Sequence, residues 1–413
     1  MPDLVIRNAR IVTPTRPASA PNLGRAGDAA EDLEVIPRAD LTISGGLIES
    51  IKTVKPDAPP RAPKRGVTEL DAAGRALLPG LVDCHTHACF AGERLAEWDD
   101  KRRGVPYLDI LKRGGGIMAT VRAVRAASEA QLTDLLLPRL RAMLRCGSTT
   151  IEIKSGYGLT TADELKMLRA IAAARAHFPG TLVATALLGH ALDDAQPGFV
   201  GRVTRETLPA VAAEFPGITV DAFCETGAWS LEQCILLFDR ARALGLPIRV
   251  HADQFNSLGM LPAALRLGAR SVDHLEATTP ADLELLARST TFGVMLPICG
   301  VHLDQRFAKG RKFLHLGGRL CIATNFNPGS APSPSLCETI AMGVRHLGLA
   351  PSEAITAATL NPAALLGFTD RGAIAVGQRA DLILLNSPDE RALAFQLGYP
   401  PIDHVIVNGE VVI

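Results

Sequence analysis

The sequence predicts an α/β protein: a (β/α)8 TIM-type barrel with a small β-sandwich-like domain built from both chain ends. Three observations carry this reading. Eight apolar, β-rich runs alternate with helical patterns through the middle of the chain, within about 250 residues, which is the spacing of an eight-fold barrel. Short strand signals cluster separately at the two ends. No Gly-rich phosphate loop of the GxGxxG kind follows the first central run, which argues against the alternative, a doubly wound dinucleotide-binding sheet.

The elements follow in order. Strands are expected at 4–6, 11–13, 40–43 and 47–51, the last two forming a hairpin around Gly45-Gly46. The stretch 14–38, rich in Ala, Pro and Gly, reads as a loop. The eight central runs are 77–82, 148–153, 181–188, 218–224, 248–250, 270–272, 291–296 and 319–323. Between them, Ser128 with Gln131, Thr161 with Glu164 and Ser230 with Gln233 each fit a helix capping box, and Pro280 fits a first helical turn. Strands at 380–385, 402–407 and 411–413, with an Asn408-Gly409 turn, return at the end. The expected domains are therefore 1–75 and 372–413 as the two parts of the small β-domain, and 76–371 as the barrel.

Composition narrows the function. The 413 residues are 47% hydrophobic, enough for a large core, and the 43 basic and 43 acidic side chains balance to zero net charge. That leaves no basic field for nucleic acid or an anionic membrane. No segment has the length of a membrane span, and residues 1–10 lack an apolar leader core, so the expected compartment is the cytoplasm. The eight cysteines have no CxxC spacing and several sit in apolar runs, as buried free thiols do.

Barrel chemistry sits at the C-terminal ends of the strands. His85 and His87 follow the first central run, one residue apart, so on extended backbone both rings point the same way and make half of a metal site. Lys154 and Tyr157 follow the second run, His190 the third, Glu225 the fourth, His251 the fifth, His274 the sixth, and Asn325 and Asn327 the eighth. Five of the ten histidines thus fall at strand ends, whereas His177, His302, His315, His346 and His404 do not and read as structural or surface residues. For several of these positions a plainer role competes: Lys154 paired with a carboxylate, Tyr157 a packed ring, Arg94 in an ion pair, and Gly114-Gly115-Gly116 a loop rather than an anion cradle.

The segment Leu78-Pro79-Gly80-Leu81-Val82-Asp83-Cys84-His85-Thr86-His87 resembles the metal-binding start of the amidohydrolase superfamily, and Val376-Gly377-Gln378-Arg379-Ala380-Asp381-Leu382 with Val407-Asn408-Gly409 resembles its second β-segment. Within it the chain is most similar to the imidazolonepropionase family, hydrolases of histidine breakdown, through Phe90-Ala91-Gly92-Glu93-Arg94, Gly114-Gly115-Gly116-Ile117, the run from Glu152 to Leu159, His251-Ala252-Asp253-Gln254 and Asn325-Phe326-Asn327-Pro328-Gly329. The resemblance covers nearly the whole chain. It implies one zinc or iron ion per subunit held by His85, His87, His251 and the residue at 325. It implies a substrate pocket of Arg94, Tyr157, His190, Gln254, Asn327, Gly329 and Ser330, with His274, Gln254 and Asn325 at the reacting centre, and a homodimer. The implied reaction converts 4-imidazolone-5-propanoate to N-formimidoyl-L-glutamate with an activated water. Arg94 and Tyr157 suit a propanoate tail, and His274 or His190 a developing oxyanion.

Two residues depart from the family, one in a minor way: Gln254 stands where some relatives have glutamate, and its amide can still bind the substrate. Position 325 normally carries an aspartate that binds the metal and takes the proton of the attacking water. Asn325 offers an oxygen but no charge and no basicity. Asp253, Glu225 and His274 are the candidate replacements. The departure leaves two alternatives open: another cyclic amidohydrolase or aminohydrolase acting on a carboxylate-bearing ring, or a catalytically impaired relative that binds its ligand without turnover.

Overall fold

The computed structural model describes residues 3–17, 23–55, 67–105, 109, 115–193 and 195–413. Its two sheets have different origins. The first is mixed and takes strands from both chain ends: β1 (Leu4–Pro14), β2 (Leu33–Ser44), β3 (Leu47–Thr53), β4 (Thr68–Asp71) and β5 (Ala76–Pro79) from the start. The second is the barrel: β6 (Leu81–Asp83), β7 (Ser148–Lys154), β8 (Thr181–Gly189), β9 (Thr219–Cys224), β10 (Val250–Ala252), β11 (Ser271–His274), β12 (Phe292–Met295) and β13 (Arg319–Ile322). The chain end then returns to the first sheet as β14 (Leu382–Leu385), β15 (Ile402–Val407) and β16 (Glu410–Val411). The mixed sheet runs β16-β15-β14-β5-β1-β2-β3, with β4 also on β1, and the barrel sheet runs in sequence order from β6 to β13. Every barrel pairing is parallel, as βαβ crossovers dictate.

Several local expectations need correction. The run 77–82 splits at Gly80. Residues 76–79 pair with β1 and β14 in the mixed sheet, and only 81–83 enter the barrel. A side chain at Gly80 would collide with Thr149, whose Oγ1 lies 2.3 Å from a Cβ built there. The expected loop 14–38 is partly strand, because β2 begins at Leu33 and pairs with β1 along its length; residues 18–22 lie outside the described segments. The short run 248–250 shifts forward to Val250–Ala252, which puts His251 within the strand. The boxes at Ser128 and Ser230 form, but the third helix is capped by Thr160 on the Asp163 amide, one residue earlier than expected. Glu164 is thereby released to accept from the amides of Gly156, Gly158 and Leu159, bracing the loop that carries Tyr157.

The last and first barrel strands meet at their C-terminal extensions. Thr324 donates its N–H and its hydroxyl to Asp83, the Asn325 N–H donates to the His85 carbonyl at 3.0 Å, and the His87 N–H to the Phe326 carbonyl at 3.0 Å. The seam of the barrel therefore holds the His-Thr-His run against the Asn325 loop.

Candidate active site

Barrel interiors are normally layers of branched apolar side chains. Here one interior layer is ionic: Glu152 on β7, Lys154 on β7, Asp221 on β9, Arg249 just before β10 and Asp273 on β11 are all buried. Lys154 Nζ donates to Glu152 at 2.8 Å and to Asp221 at 2.9 Å. Arg249 pairs with Asp273, reaches Glu152 at 3.4 Å, and donates to the Cys84 carbonyl at 2.8 Å. Two cations stand against three carboxylates, so each buried charge has a partner, as its desolvation requires. Lys154 thus takes the plainer of its two expected roles.

The layer fixes the histidines above it. Asp273 Oδ2 lies 2.6 Å from His85 Nδ1, and Asp221 Oδ1 lies 3.1 Å from His251 Nδ1. A carboxylate can only accept, so both Nδ1 atoms carry the proton and both Nε2 atoms present lone pairs. Those Nε2 atoms lie 3.3 and 3.4 Å from Nε2 of His87. Burial drives all three imidazoles toward neutrality, with Lys154 acting in the same direction on each. Facing lone pairs at that distance repel unless a cation lies among them. Tetrahedral zinc with bonds of about 2.0–2.1 Å puts neighbouring ligand nitrogens about 3.3–3.4 Å apart. The donor set, its spacing and its orienting carboxylates fit a metal ion. Asn325 adds a further sign: its Oδ1 is buried without a hydrogen-bond partner among the described residues, on a backbone at φ 54° that Asn tolerates.

His274 joins this group. Its ring sits 6.0 Å from that of His85 and 5.5 Å from that of His251, and the three residues offer ligand atoms within 4.8 Å of one another. Its Nδ1 faces Glu276 Oε1 at 3.3 Å. Both His274 and Leu275 adopt positive φ, 87° and 75°, a costly conformation for such residues that turns the chain back over the barrel mouth.

The other expected site residues divide into two kinds. His190 stacks on His87 with ring centroids 5.1 Å apart and carries its proton on Nδ1, which donates to the Gly156 carbonyl at 3.0 Å. Burial, with His251 next, pushes its pKa down to about 3, so Nε2 is an acceptor. Tyr157 lies 5.0 Å from His190. Arg94 is held by Glu97 through Nε and Nη2 at 2.5 and 2.6 Å, while its Nη1 faces Gly329, where an added Cβ would sit 3.0 Å away. Glu97 also accepts from Gly116 N–H at 2.9 Å, so the described end of the glycine run holds the protein's own carboxylate; Gly114 lies outside the described residues. Arg94, Asn327 and Gly329 line a cavity of about 540 Å³ with Phe90, Trp98 and His302. Asn327 uses its side chain to build its own turn, accepting from the amides of Gly329 and Ser330 at 2.8 and 2.7 Å. Gln254 donates to Cys299 Sγ at 3.4 Å.

Of the three candidate bases, only His274 lies with the histidines. Glu225 accepts from the amides of Thr226, Phe255 and Asn256, which makes it a loop brace. Asp253 accepts from Thr278 at 3.0 Å, and burial raises its pKa to about 6. Sequence reasoning missed Glu276, Cys299, Arg249 and Glu152. Only a β-strand register that placed them on the inward face would have exposed the last two. The cysteines are all free, and no helix among the described residues is long and apolar enough to cross a membrane.

The amidohydrolase family model matches residues 76–412. Imidazolonepropionase of Deinococcus radiodurans is 42% identical over 93% of this chain and 94% of its own. That of Chloroflexus aggregans is 41% identical over 100% and 98%. Among solved structures, 5-methylcytosine deaminase from Klebsiella pneumoniae liganded with 5-fluorocytosine superposes with a TM-score of 0.74 at 17% identity, covering 99% of this chain and 97% of that one. N-isopropylammelide isopropylaminohydrolase from Burkholderia multivorans gives 0.69 at 19%, covering 100% and 98%. At such identities the two structures speak to the fold.

Proposed function

This chain belongs to the amidohydrolase family, among its imidazolonepropionases, and from that premise we propose that it hydrolyses 4-imidazolone-5-propanoate to N-formimidoyl-L-glutamate with His274 as the proton carrier. The single observation behind the assignment of roles is the convergence of three oriented Nε2 atoms beside a histidine–carboxylate pair.

His85, His87 and His251, with Asn325 Oδ1, would hold one zinc or iron ion. Such an ion lowers the pKa of water and polarises the ring carbonyl. The remaining work falls to side chains. Arg94 Nη1 and the Tyr157 hydroxyl receive the propanoate, a charge-assisted contact that fixes the ring over the histidines. His190 Nε2 accepts a ring N–H; with its proton on Nδ1 it cannot donate to an oxyanion from that side, and His274 can do so only once its Nε2 has taken the proton of water. Water adds to the carbonyl carbon, His274 Nε2 takes its proton, and the same proton passes to the ring nitrogen as the carbon–nitrogen bond breaks. Glu276 holds the His274 ring in the tautomer this needs. The Gln254 amide contributes a neutral contact at the same mouth.

The proposal includes a homodimer, which rests on family resemblance, and a cytoplasmic compartment. A second reading, ligand capture without turnover, rests on Asn325. The deciding experiment is steady-state turnover of freshly made imidazolonepropanoate by the zinc- or iron-loaded chain, with product identified by mass. Formation of N-formimidoyl-glutamate, lost in His274→Gln, supports the assignment. Equilibrium binding without product selects the second reading, and neither binding nor product refutes both.

A further inference from the structure

We propose a second cation site at this active-site mouth, formed by His274, Glu276 and Cys299 and selective for soft divalent ions such as zinc or cadmium. The three residues come from two elements: His274 ends β11, Glu276 follows it, and Cys299 lies in the short helix Pro297–His302 after β12. Each offers one ligand atom, and these atoms lie within 4.8 Å of one another. Imidazole nitrogen, carboxylate oxygen and thiolate sulfur together are the ligand types zinc selects over magnesium or calcium.

A second, independent observation points to a ligand. Glu276 is about nine-tenths buried, its side chain 6% exposed, and while Oε1 faces His274, Oε2 is buried with no hydrogen-bond partner among the described residues. A buried carboxylate oxygen without a donor is costly, and a cation would satisfy it. Cys299 Sγ accepts from Gln254 at 3.4 Å, a donor that would also steady a thiolate. Binding forms bonds to nitrogen, oxygen and sulfur and releases the Cys299 proton to solvent.

This site is distinct from the trio His85, His87 and His251 but shares its neighbour His274. A cation there would hold the ring that the proposed reaction needs free, so excess soft cation would inhibit. That consequence rests on the role proposed for His274; the binding itself does not.

The experiment titrates the metal-stripped full chain with cadmium, following bound equivalents by equilibrium dialysis and the ultraviolet thiolate-to-cadmium band. The expected result is two equivalents, with the band arising on the second. Cys299→Ser should bind one equivalent without the band, and Glu276→Gln should weaken the second by roughly tenfold or more. A parent that stops at one equivalent, or a band that survives in Cys299→Ser, overturns the proposal. Should Cys299→Ser fail to fold, cadmium protection of Cys299 against alkylation in the parent, absent in Glu276→Gln, serves as the readout; equal protection in both overturns it. Inhibition is scored separately: second-equivalent binding without loss of turnover refutes the His274 role and leaves the site standing.

Discussion

Asn325→Asp tests the site more sharply than any deletion, because it changes charge at almost constant shape. Asn325 is buried, its Oδ1 has no donor among the described residues, and its φ of 54° suits Asp as well as Asn. Without metal, the new carboxylate would sit among neutral imidazoles. Asp83, one strand away, is an internal yardstick: burial raises its pKa to about 7 although Thr324 donates to it twice. A shift of that size for Asp at 325 means the folded state binds a proton that the unfolded state has lost. Metal-free Asn325→Asp should then be less stable by roughly 4 kcal/mol at pH 7, shrinking to roughly 1–2 kcal/mol at pH 5, where the unfolded carboxylate also begins to protonate. With metal the sign reverses, since the same charge becomes a ligand.

The assay is denaturant unfolding at both pH values, with and without zinc, beside competitive metal titration. The variant should bind zinc more tightly and regain its lost stability when loaded. Turnover supplies the second arm. If His274 already moves the proton, kcat should rise by no more than about tenfold, or about 1.4 kcal/mol of barrier. A rise of a hundredfold or more would mean that the carboxylate supplies the missing base and that the role given to His274 is wrong. A metal-free variant as stable as its parent would refute the argument that Oδ1 faces an uncompensated site.

Three further outcomes are expected. Asp273→Asn leaves Arg249 with one weak carboxylate contact and offers His85 Nδ1 at most a neutral amide oxygen in place of a carboxylate, so stability should fall by roughly 3–5 kcal/mol and zinc affinity by roughly 10–100-fold; unfolding and metal titration measure both. Arg94→Lys keeps the charge but loses the fork shared between Glu97 and the cavity, so KM should rise by roughly tenfold or more with kcat little changed; an unchanged KM would remove Arg94 from the substrate. The metal-free protein should weaken in acid. His85, His87, His190 and His251 have folded pKa values below the unfolded value of about 6.5, so the unfolded chain binds more protons and stability drops as pH falls below that value, by up to about 1.4 kcal/mol per pH unit for each, continuing for His190 toward about 3. A stability flat from pH 7 to pH 5 would contradict this.

The periodicity of the chain sufficed for the barrel because its strands are short runs separated by helices, several of them capped by Ser or Thr, and for the histidines because strand ends are readable positions. It failed where two strands touch without a break in apolarity. Residues 77–82 read as one strand, yet Gly80 lets the chain pass from one sheet to the other against Thr149. It also failed for roles that depend on which atom a neighbour leaves free. Nothing in the sequence separates Glu225, which braces a loop, from Glu276, which faces His274. Asn327 and Gly329 belong to one recognisable segment, but that the first builds the turn presenting the second is a matter of hydrogen bonds within the loop.

The buried ionic layer bears directly on how this chain tolerates an uncharged residue at 325. Three histidines and an amide are all neutral donors, so a dication held by them has no negative ligand to offset it. The offset lies one layer deeper. Asp273 and Asp221 each face the Nδ1 of a histidine, and the layer as a whole carries three carboxylates against Lys154 and Arg249. Burial alone would raise Asp221 above the usual carboxylate range. His251, Lys154 and Arg249 overcome it and hold the group well below that range, so it stays ionised. Polarisation through the two imidazoles then carries part of this negative charge toward the Nε2 atoms. On the proposed reading, the layer is what would let metal binding survive the exchange of aspartate for asparagine, and the proton transfer that aspartate would have performed would fall to His274, the histidine with its own carboxylate, Glu276, that is not assigned to the metal.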